Sequence, residues 1–180
     1  GERGGPTVFS ADSRWLAFTI APDRDESDRP QGQRPPARNK VGLLELATGE
    51  MTEVEDVQSF AFSGDRANWI ALRRYPASAG GGPGGASGQR PGAEGNGDDR
   101  PRGVDVSLHE LATGIRLNIG NASEFRFDET GRFLAWIVDA QGKAGNGIQL
   151  RDMDTGVIQV LESDEARYSR LDWADDEAAL

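Results

Sequence analysis

Cysteine is absent from this sequence, and with it go disulfides, thiolate metal sites and thiol nucleophiles. That absence removes chemistry without naming a compartment. Histidine occurs once, as His109, at the end of a predicted strand with no acid and nucleophile placed beside it. A His-dependent catalytic triad within the chain is therefore not expected, and the residue reads as a strand-face or edge histidine. No G-x-S-x-G nucleophile elbow occurs, which excludes an internal α/β-hydrolase site. No run approaches the ~18 apolar residues of a membrane-spanning helix, and the first residues lack a signal-peptide pattern. Basic residues are scarce, 20 against 30 acidic, and the net charge of −10 argues against a general nucleic-acid binder. The acidity is densest in residues 161–180, where a local sum of −5 reads as solvated turns and edges.

What is present is repetition. Glu45-Leu46-Ala47-Thr48-Gly49 recurs as Glu110-Leu111-Ala112-Thr113-Gly114 and, loosely, as Asp152-Met153-Asp154-Thr155-Gly156. Each copy follows a β-rich run and precedes a second short run. The pattern predicts a hairpin with glycine in the left-handed position of its turn. A second signature precedes each hairpin: Phe9-Ser10-Ala11-Asp12-Ser13-Arg14-Trp15-Leu16-Ala17-Phe18, then Phe62-Ser63-Gly64-Asp65 with Trp69-Ile70-Ala71-Leu72, then Phe127-Asp128-Glu129-Thr130-Gly131-Arg132-Phe133-Leu134-Ala135-Trp136. A fourth copy begins at Trp173-Ala174-Asp175-Asp176-Glu177-Ala178-Ala179-Leu180, where Leu180 falls opposite Leu16 and Leu134. The expectation is a piece of a longer array that stops inside a strand.

In order, predicted strands cover 6–9, 14–20, 41–46 and 51–57 for a first four-stranded unit. The second begins at Ser59–Phe62, continues at Trp69–Leu72 and closes with 104–110 and 115–119. The third comprises 124–127, 132–138, 147–152 and 157–161, and residues 168–173 open the fourth. In the second strand of the first unit Trp15, Ala17 and Thr19 alternate with Leu16, Phe18 and Ile20, so both faces are expected to be buried. Two stretches interrupt the array. Residues 21–40 carry Pro22, Pro30, Pro35 and Pro36 among interleaved charges, and residues 76–102 hold nine Gly and four Pro. The second buries too little apolar surface to offset ordering entropy, so disorder is expected there. Subtracting it brings the Gly49–Gly114 spacing from 65 to 38, close to the 42 between Gly114 and Gly156. Both insertions join second to third strands of adjacent units and should leave the same rim.

Four strands per roughly 40–45 residues with aromatic marks at fixed offsets is the pattern of β-propeller blades. The fold expected is all-β, a partial β-propeller of about three four-stranded antiparallel blades plus the start of a fourth. Its divisions are blade 1 at about 6–57 with insertion 21–40, blade 2 at about 58–119 with the Gly-rich insertion 76–102, blade 3 at about 122–161, and the start of blade 4 at about 168–180. Three and a fraction blades cannot close a ring, so the ends must pair with other chain, and the 180 residues alone should expose sheet faces and associate.

Other candidate chemistry is outweighed by the repeat. Gly80-Gly81-Gly82-Pro83-Gly84-Gly85 satisfies G-x-G-x-x-G but is followed by more Gly, Ser and Pro instead of a helix, so chance in a glycine-rich tract explains it. Asp139, Asp152 and Asp154 lack EF-hand spacing, and the last two fall on the repeated turn, where Asp is favoured for hydrogen bonding to the backbone. Asp12, Asp65, Asp128 and Asp175 recur at the first hairpin of each unit, which marks them as scaffold. Trp15, Trp69, Trp136 and Trp173 share the repeat phase and are read as packing between sheets. Asn121-Ala122-Ser123 fits the N-glycosylation triplet, which matters only in a eukaryotic secretory pathway. No catalytic, cofactor-binding or metal-binding residue is assigned, and no cofactor.

The copies at Phe9–Phe18 and Phe127–Trp136 resemble the F-S-x-D-G-[KR]-x-[LIV]-A-[FYW] blade motif of TolB-like and peptidase propellers, and Leu44–Gly49 resembles their L-x-D-L-A-T-G hairpin. Ser13 and Arg66 stand where the motif has a turn glycine. With Val54–Phe62, the Gly-rich insertion after Tyr75 and Ala166–Trp173, the chain resembles the N-terminal propeller of bacterial prolyl oligopeptidase-type serine peptidases. The resemblance implies a non-catalytic propeller that filters or docks peptide substrates for a C-terminal α/β-hydrolase domain of the same parent chain, where the Ser, Asp and His triad lies. Its partners would be that domain, the remaining blades and peptide substrates, and a periplasmic or secreted location is favoured. No adjacent Glu-Glu pair occurs, so dipeptide release is not implied. The alternative is a TolB-like propeller serving as a protein-interaction module with no attached enzyme.

Overall fold

The computed structural model describes residues 5–22, 38–76, 102–143 and 145–174. Among them run eleven strands: β1 (Thr7–Phe9), β2 (Trp15–Ile20), β3 (Lys40–Glu45), β4 (Met51–Val54), β5 (Val57–Phe62), β6 (Trp69–Arg74), β7 (Val104–Glu110), β8 (Arg116–Phe127), β9 (Phe133–Val138), β10 (Gly147–Asp152) and β11 (Ile158–Ser163). Every pairing is antiparallel. Strands β1 to β4 form one sheet in sequence order, and β5 to β11 form a second of seven strands, also in order. This is an all-β, partial β-propeller. The Gly-rich tract and most of the Pro-rich excursion, expected as insertions, lie outside the described residues.

The seven-stranded sheet arises because β8 is continuous where the sequence predicted two strands broken around 120–123. Its first half pairs with β7 and its second with β9, and Ala122 is opposite both Val104 and Val138. The strand turns from one partner to the next at Asn121, which is left-handed with φ 55°, a conformation that Asn accepts more readily than most residues. Asp56, with φ 58°, does the same between β4 and β5. Val57 therefore begins the next unit instead of ending the first, a second departure from expectation. Residues 167–174 form no strand, yet Arg170 is left-handed with φ 66° and Leu171 after it is buried, matching Asn121–Ala122 and Asp56–Val57. So β1 to β4 make one four-stranded unit, β5 to the first half of β8 a second, and the second half of β8 to β11 a third.

The two repeated signatures close their hairpins alike. Gly49, Gly114 and Gly156 have φ near +75° (75°, 73° and 75°), and each donates its N–H to the carbonyl four residues back, Glu45, Glu110 and Asp152. Thr48 Oγ1 donates to Glu45 at 2.9 Å, and Thr113 Oγ1 donates to Glu110. In the third copy Asp152 instead accepts the N–H groups of Asp154 and Thr155 at 2.9 and 3.0 Å. At the first hairpin a buried side-chain oxygen caps the following strand. Ser10 Oγ accepts from Trp15 N–H at 2.9 Å, Ser63 Oγ from Trp69 N–H at 2.9 Å, and Asp128 Oδ1 from Phe133 N–H at 2.7 Å. Ser10 donates to Asp12 at 2.6 Å while Thr130 donates to Asp128 at 2.5 Å, so hydroxyl and carboxylate have exchanged places in one motif. In the second unit the turn is one residue longer and winds into the 3-10 turn Gly64–Arg66. Ala67, with φ 46°, takes the place filled by Ser13 (φ 56°) and Gly131 (φ 75°), correcting the assignment of Arg66 to that position.

Period-two alternation then stacks the units face to face. From β6, Ile70 and Leu72 join Ala17, Val41, Leu43 and Val57 in one core, while Trp69 and Ala71 join Val106, Leu108, Ala122, Leu134, Trp136 and Met153 in the next. From β9, Ala135 and Ile137 join Leu171, with Tyr168 and Trp173 packed alongside. The tryptophans are core or packed against it, but not all at one repeat position. Trp15 and Trp69 are equivalent to Phe133, and Trp136 is equivalent to Phe18 and Leu72.

Candidate functional site

Antiparallel order places the two hairpin types at one end of each sheet and the links from second to third strand at the other. At that other end the chain leaving β2–β3 meets the chain leaving β6. The Arg38 guanidinium lies 5.7 Å from the centre of the Tyr75 ring, donates to the Pro76 carbonyl at 3.3 Å and pairs with Asp56 at 3.4 Å. Asn39 N–H donates to Tyr75 Oη at 3.3 Å. The rim continues at Asp139, which is 3% exposed, accepts from Arg102 N–H at 3.1 Å and lies 3.7 Å from Arg167. Asn146, also buried, donates to the Ala166 carbonyl at 3.0 Å. Each described loop base on this rim is thus tied down by charge or amide.

A second polar site lies between the first and second units, where residues of β4 and β7 line a common groove. Asp105, Ser107 and His109 occupy one face of β7 and line a groove of about 380 Å³ with Glu53, Arg74 and Arg116. Ser107 Oγ is 3.0 Å from His109 Nε2. Burial pushes the His109 pKa down to about 4, with Arg116 and Arg74 adding repulsion, so the ring is neutral at pH 7. No carboxylate hydrogen-bonds His109 among the described residues. Ser107 and His109 thus form a hydrogen-bonded pair with a neutral ring.

The acidic candidates are kept apart. Asp152 pairs with Phe133 at the start of β9, whereas Asp139 follows its end, so the length of a strand separates them. Asp154 pairs with Arg66 of the second unit at 2.7 Å. Among the described residues no three His, Asp or Glu side chains stand close enough to hold a metal ion, and no helix is long and apolar enough to cross a membrane, which says nothing of β-barrels. Asp175 and the Gly80–Gly85 tract lie outside the described residues. Sequence reading missed the Ser107–His109 contact and the Arg38–Tyr75 clasp. The first was signalled by i, i+2 spacing on a strand; the second had no sequence signal, because 37 positions separate its partners.

No protein-family model matches this sequence, and no curated protein matches it. Solved structures do. The β-propeller domain of the trilobed protease from Pyrococcus furiosus, of open velcro topology, superposes with a TM-score of 0.51 at 11% identity over 89% of this chain and 42% of that one. An acylaminoacyl peptidase from Pyrococcus horikoshii gives 0.47 at 10% identity over 89% of this chain and 25% of that one. A prolyl endopeptidase gives 0.49 at 14% identity, again over 89% of this chain and 21% of that one. The first likeness shows a shared propeller fold, and this chain spans less than half the length of each of the three.

Proposed function

We propose that this chain is a non-catalytic segment of the propeller of a prolyl oligopeptidase-type serine peptidase. It filters or docks short peptides for an α/β-hydrolase domain of the same parent chain, alongside the remaining blades. Its blades are about 6–56, 57–119 and 122–161, with a fourth starting at about 168, and its insertions at 21–40 and 76–102 share one rim. The observation that carries the reading is the rim itself. Arg38, Tyr75 and Asp139 anchor the loops of three successive units at one end of a stacked β array, the arrangement a ring needs to limit the size of what passes. The sequence motifs that resemble peptidase propellers support the same reading.

The chain alone is expected to leave short proline-containing peptides intact. Turnover abolished by a serine-directed inhibitor would overturn the non-catalytic role. Reading the codons that follow tests the rest: an α/β pattern with G-x-S-x-G, then Asp, then His supports the peptidase. A stop after a few further blades would replace it with a TolB-like interaction module.

A further inference from the structure

The groove between the first and second units departs from the repeat around it. On the third and fourth strands of the second unit, His109 is opposite Arg116 and Ser107 is opposite Asn118. At the place of His109 and Arg116 the first unit has Leu44 opposite Met51, and the third has Arg151 opposite Ile158. Stacking of sheets calls for apolar surface there, and each of those two pairs supplies at least one apolar side chain. In the second unit both members are polar, so stacking does not account for them. Departures from an otherwise consistent pattern concentrate at functional sites.

The charges in this groove of about 380 Å³ are sorted. Glu53 and Glu55 are both held by Lys40, at 3.7 and 3.0 Å. Arg74 Nη1 donates to the Glu55 carbonyl at 2.7 Å, and among the described residues no carboxylate forms an ion pair with Arg74 or Arg116. Buried His109, with Nε2 3.0 Å from Ser107 Oγ, is kept neutral by burial first and by those two guanidiniums second. The groove thus has two cations whose charge the chain does not neutralise. Val54 supplies the only apolar side chain of its lining among the described residues, and the rest are hydrogen-bonding groups.

We propose that this groove binds a small hydroxylated monocarboxylate, a sugar acid in chemical class, with its carboxylate on Arg116 and Arg74 and its hydroxyls on Asp105, Ser107 and Asn118. A guanidinium fork matches a carboxylate with two parallel hydrogen bonds. Hydroxyls donate and accept, which is what a lining of carboxylate, hydroxyl and amide groups requires. Glu53, Glu55 and Asp105 repel a second negative charge, which disfavours a dicarboxylate or a phosphate dianion. An alkyl acid would meet one valine and leave the polar groups without partners. A bound anion also offsets the repulsion of Arg116 and Arg74 on His109, so occupancy should raise the pKa of the ring from about 4. The site is independent of the peptidase reading.

Titration calorimetry of the 180-residue chain with gluconate at pH 7 and low salt tests the proposal, with a dissociation constant of about 1 mM or tighter as the expected result. Because His109 is the only histidine, its ring signals in a nuclear magnetic resonance spectrum report where gluconate binds. They should shift on addition and titrate at higher pH in its presence. Arg116→Gln changes an exposed side chain, so circular dichroism should be unaltered while gluconate binding weakens about tenfold or more. Glucose, which lacks the carboxylate, hexanoate, which lacks the hydroxyls, and glucarate, which carries a second carboxylate, should each bind at least about tenfold more weakly than gluconate. No gluconate binding, unmoved His109 signals, or an Arg116→Gln chain that binds as the wild type does overturns the site. Glucose, hexanoate or glucarate binding as tightly as gluconate overturns the ligand class.

Discussion

Leu16 and Phe18 of the first unit occupy the positions that Ile70 and Leu72 occupy in the second, yet the first two are only partly buried while the second two are each 1% exposed. The same strand motif is written in both units. What differs is whether a sheet lies before it among the described residues. Stability in this molecule therefore resides between sheets as much as within them, and a residue's energetic weight depends on its unit's place in the stack.

Several substitutions would break or sharpen that contrast. The largest effect is expected at Leu134, 0% exposed between the second and third units, where Leu134→Ala should cost about 2–5 kcal/mol in urea unfolding. Leu16→Ala, at the equivalent position, should cost about 1 kcal/mol. Equal losses would mean that neighbouring sheets contribute nothing. Next come the glycines. Gly131 has φ 75°, and a Cβ there would overlap the Ser63 carbonyl of the preceding unit, so Gly131→Ala should cost roughly 2–3 kcal/mol by thermal unfolding. Gly49 has the same φ but nothing within 4 Å of a Cβ, and Gly49→Ala should cost only the backbone term of about 1 kcal/mol.

His109 offers a pH-dependent comparison between a filled junction and an open one. Its folded pKa is lowered from 6.5 to about 4, so the unfolded chain binds the proton first. The stability from keeping the ring neutral is fully present above pH 6.5 and is lost as pH falls from there through about 4. In His109→Gln that segment of the stability–pH curve should flatten. Smallest is Arg66→Ala, which removes the exposed pair with Asp154 across the second junction. Its effect on the unfolding midpoint should be near the limit of detection and should vanish at high salt.

Much of this architecture is legible in the residues because it is local. A left-handed glycine four residues after Glu45, Glu110 or Asp152 fixes one hairpin, and a buried oxygen at Ser10, Ser63 or Asp128 fixes the other. The burial of both faces expected for Trp15–Ile20 is not met, since only Ala17 is buried there, and is found instead in β6, where Trp69, Ile70, Ala71 and Leu72 are all buried between two neighbouring units. The passage between units was less legible. Asp56, Asn121 and Arg170 share a conformation but no residue type, so nothing in their identities marks the bend. Continuous pairing through β8 depends on Ala122 fitting between two neighbours, which only the assembled sheet defines. At the candidate site, Ser107 and His109 were readable as strand neighbours, whereas the residues that join them from the first unit, Glu53 among them, are brought there only by the stacking of units.

Methyl-to-methyl nuclear Overhauser contacts test the stacking of units most directly. The account predicts one network joining Val41, Leu43, Val57, Ile70 and Leu72, and a separate one joining Val106, Leu108 and Leu134, divided by the plane of β6. Leu43 in contact with Leu134, or Ile70 without contact to the first sheet, would contradict it.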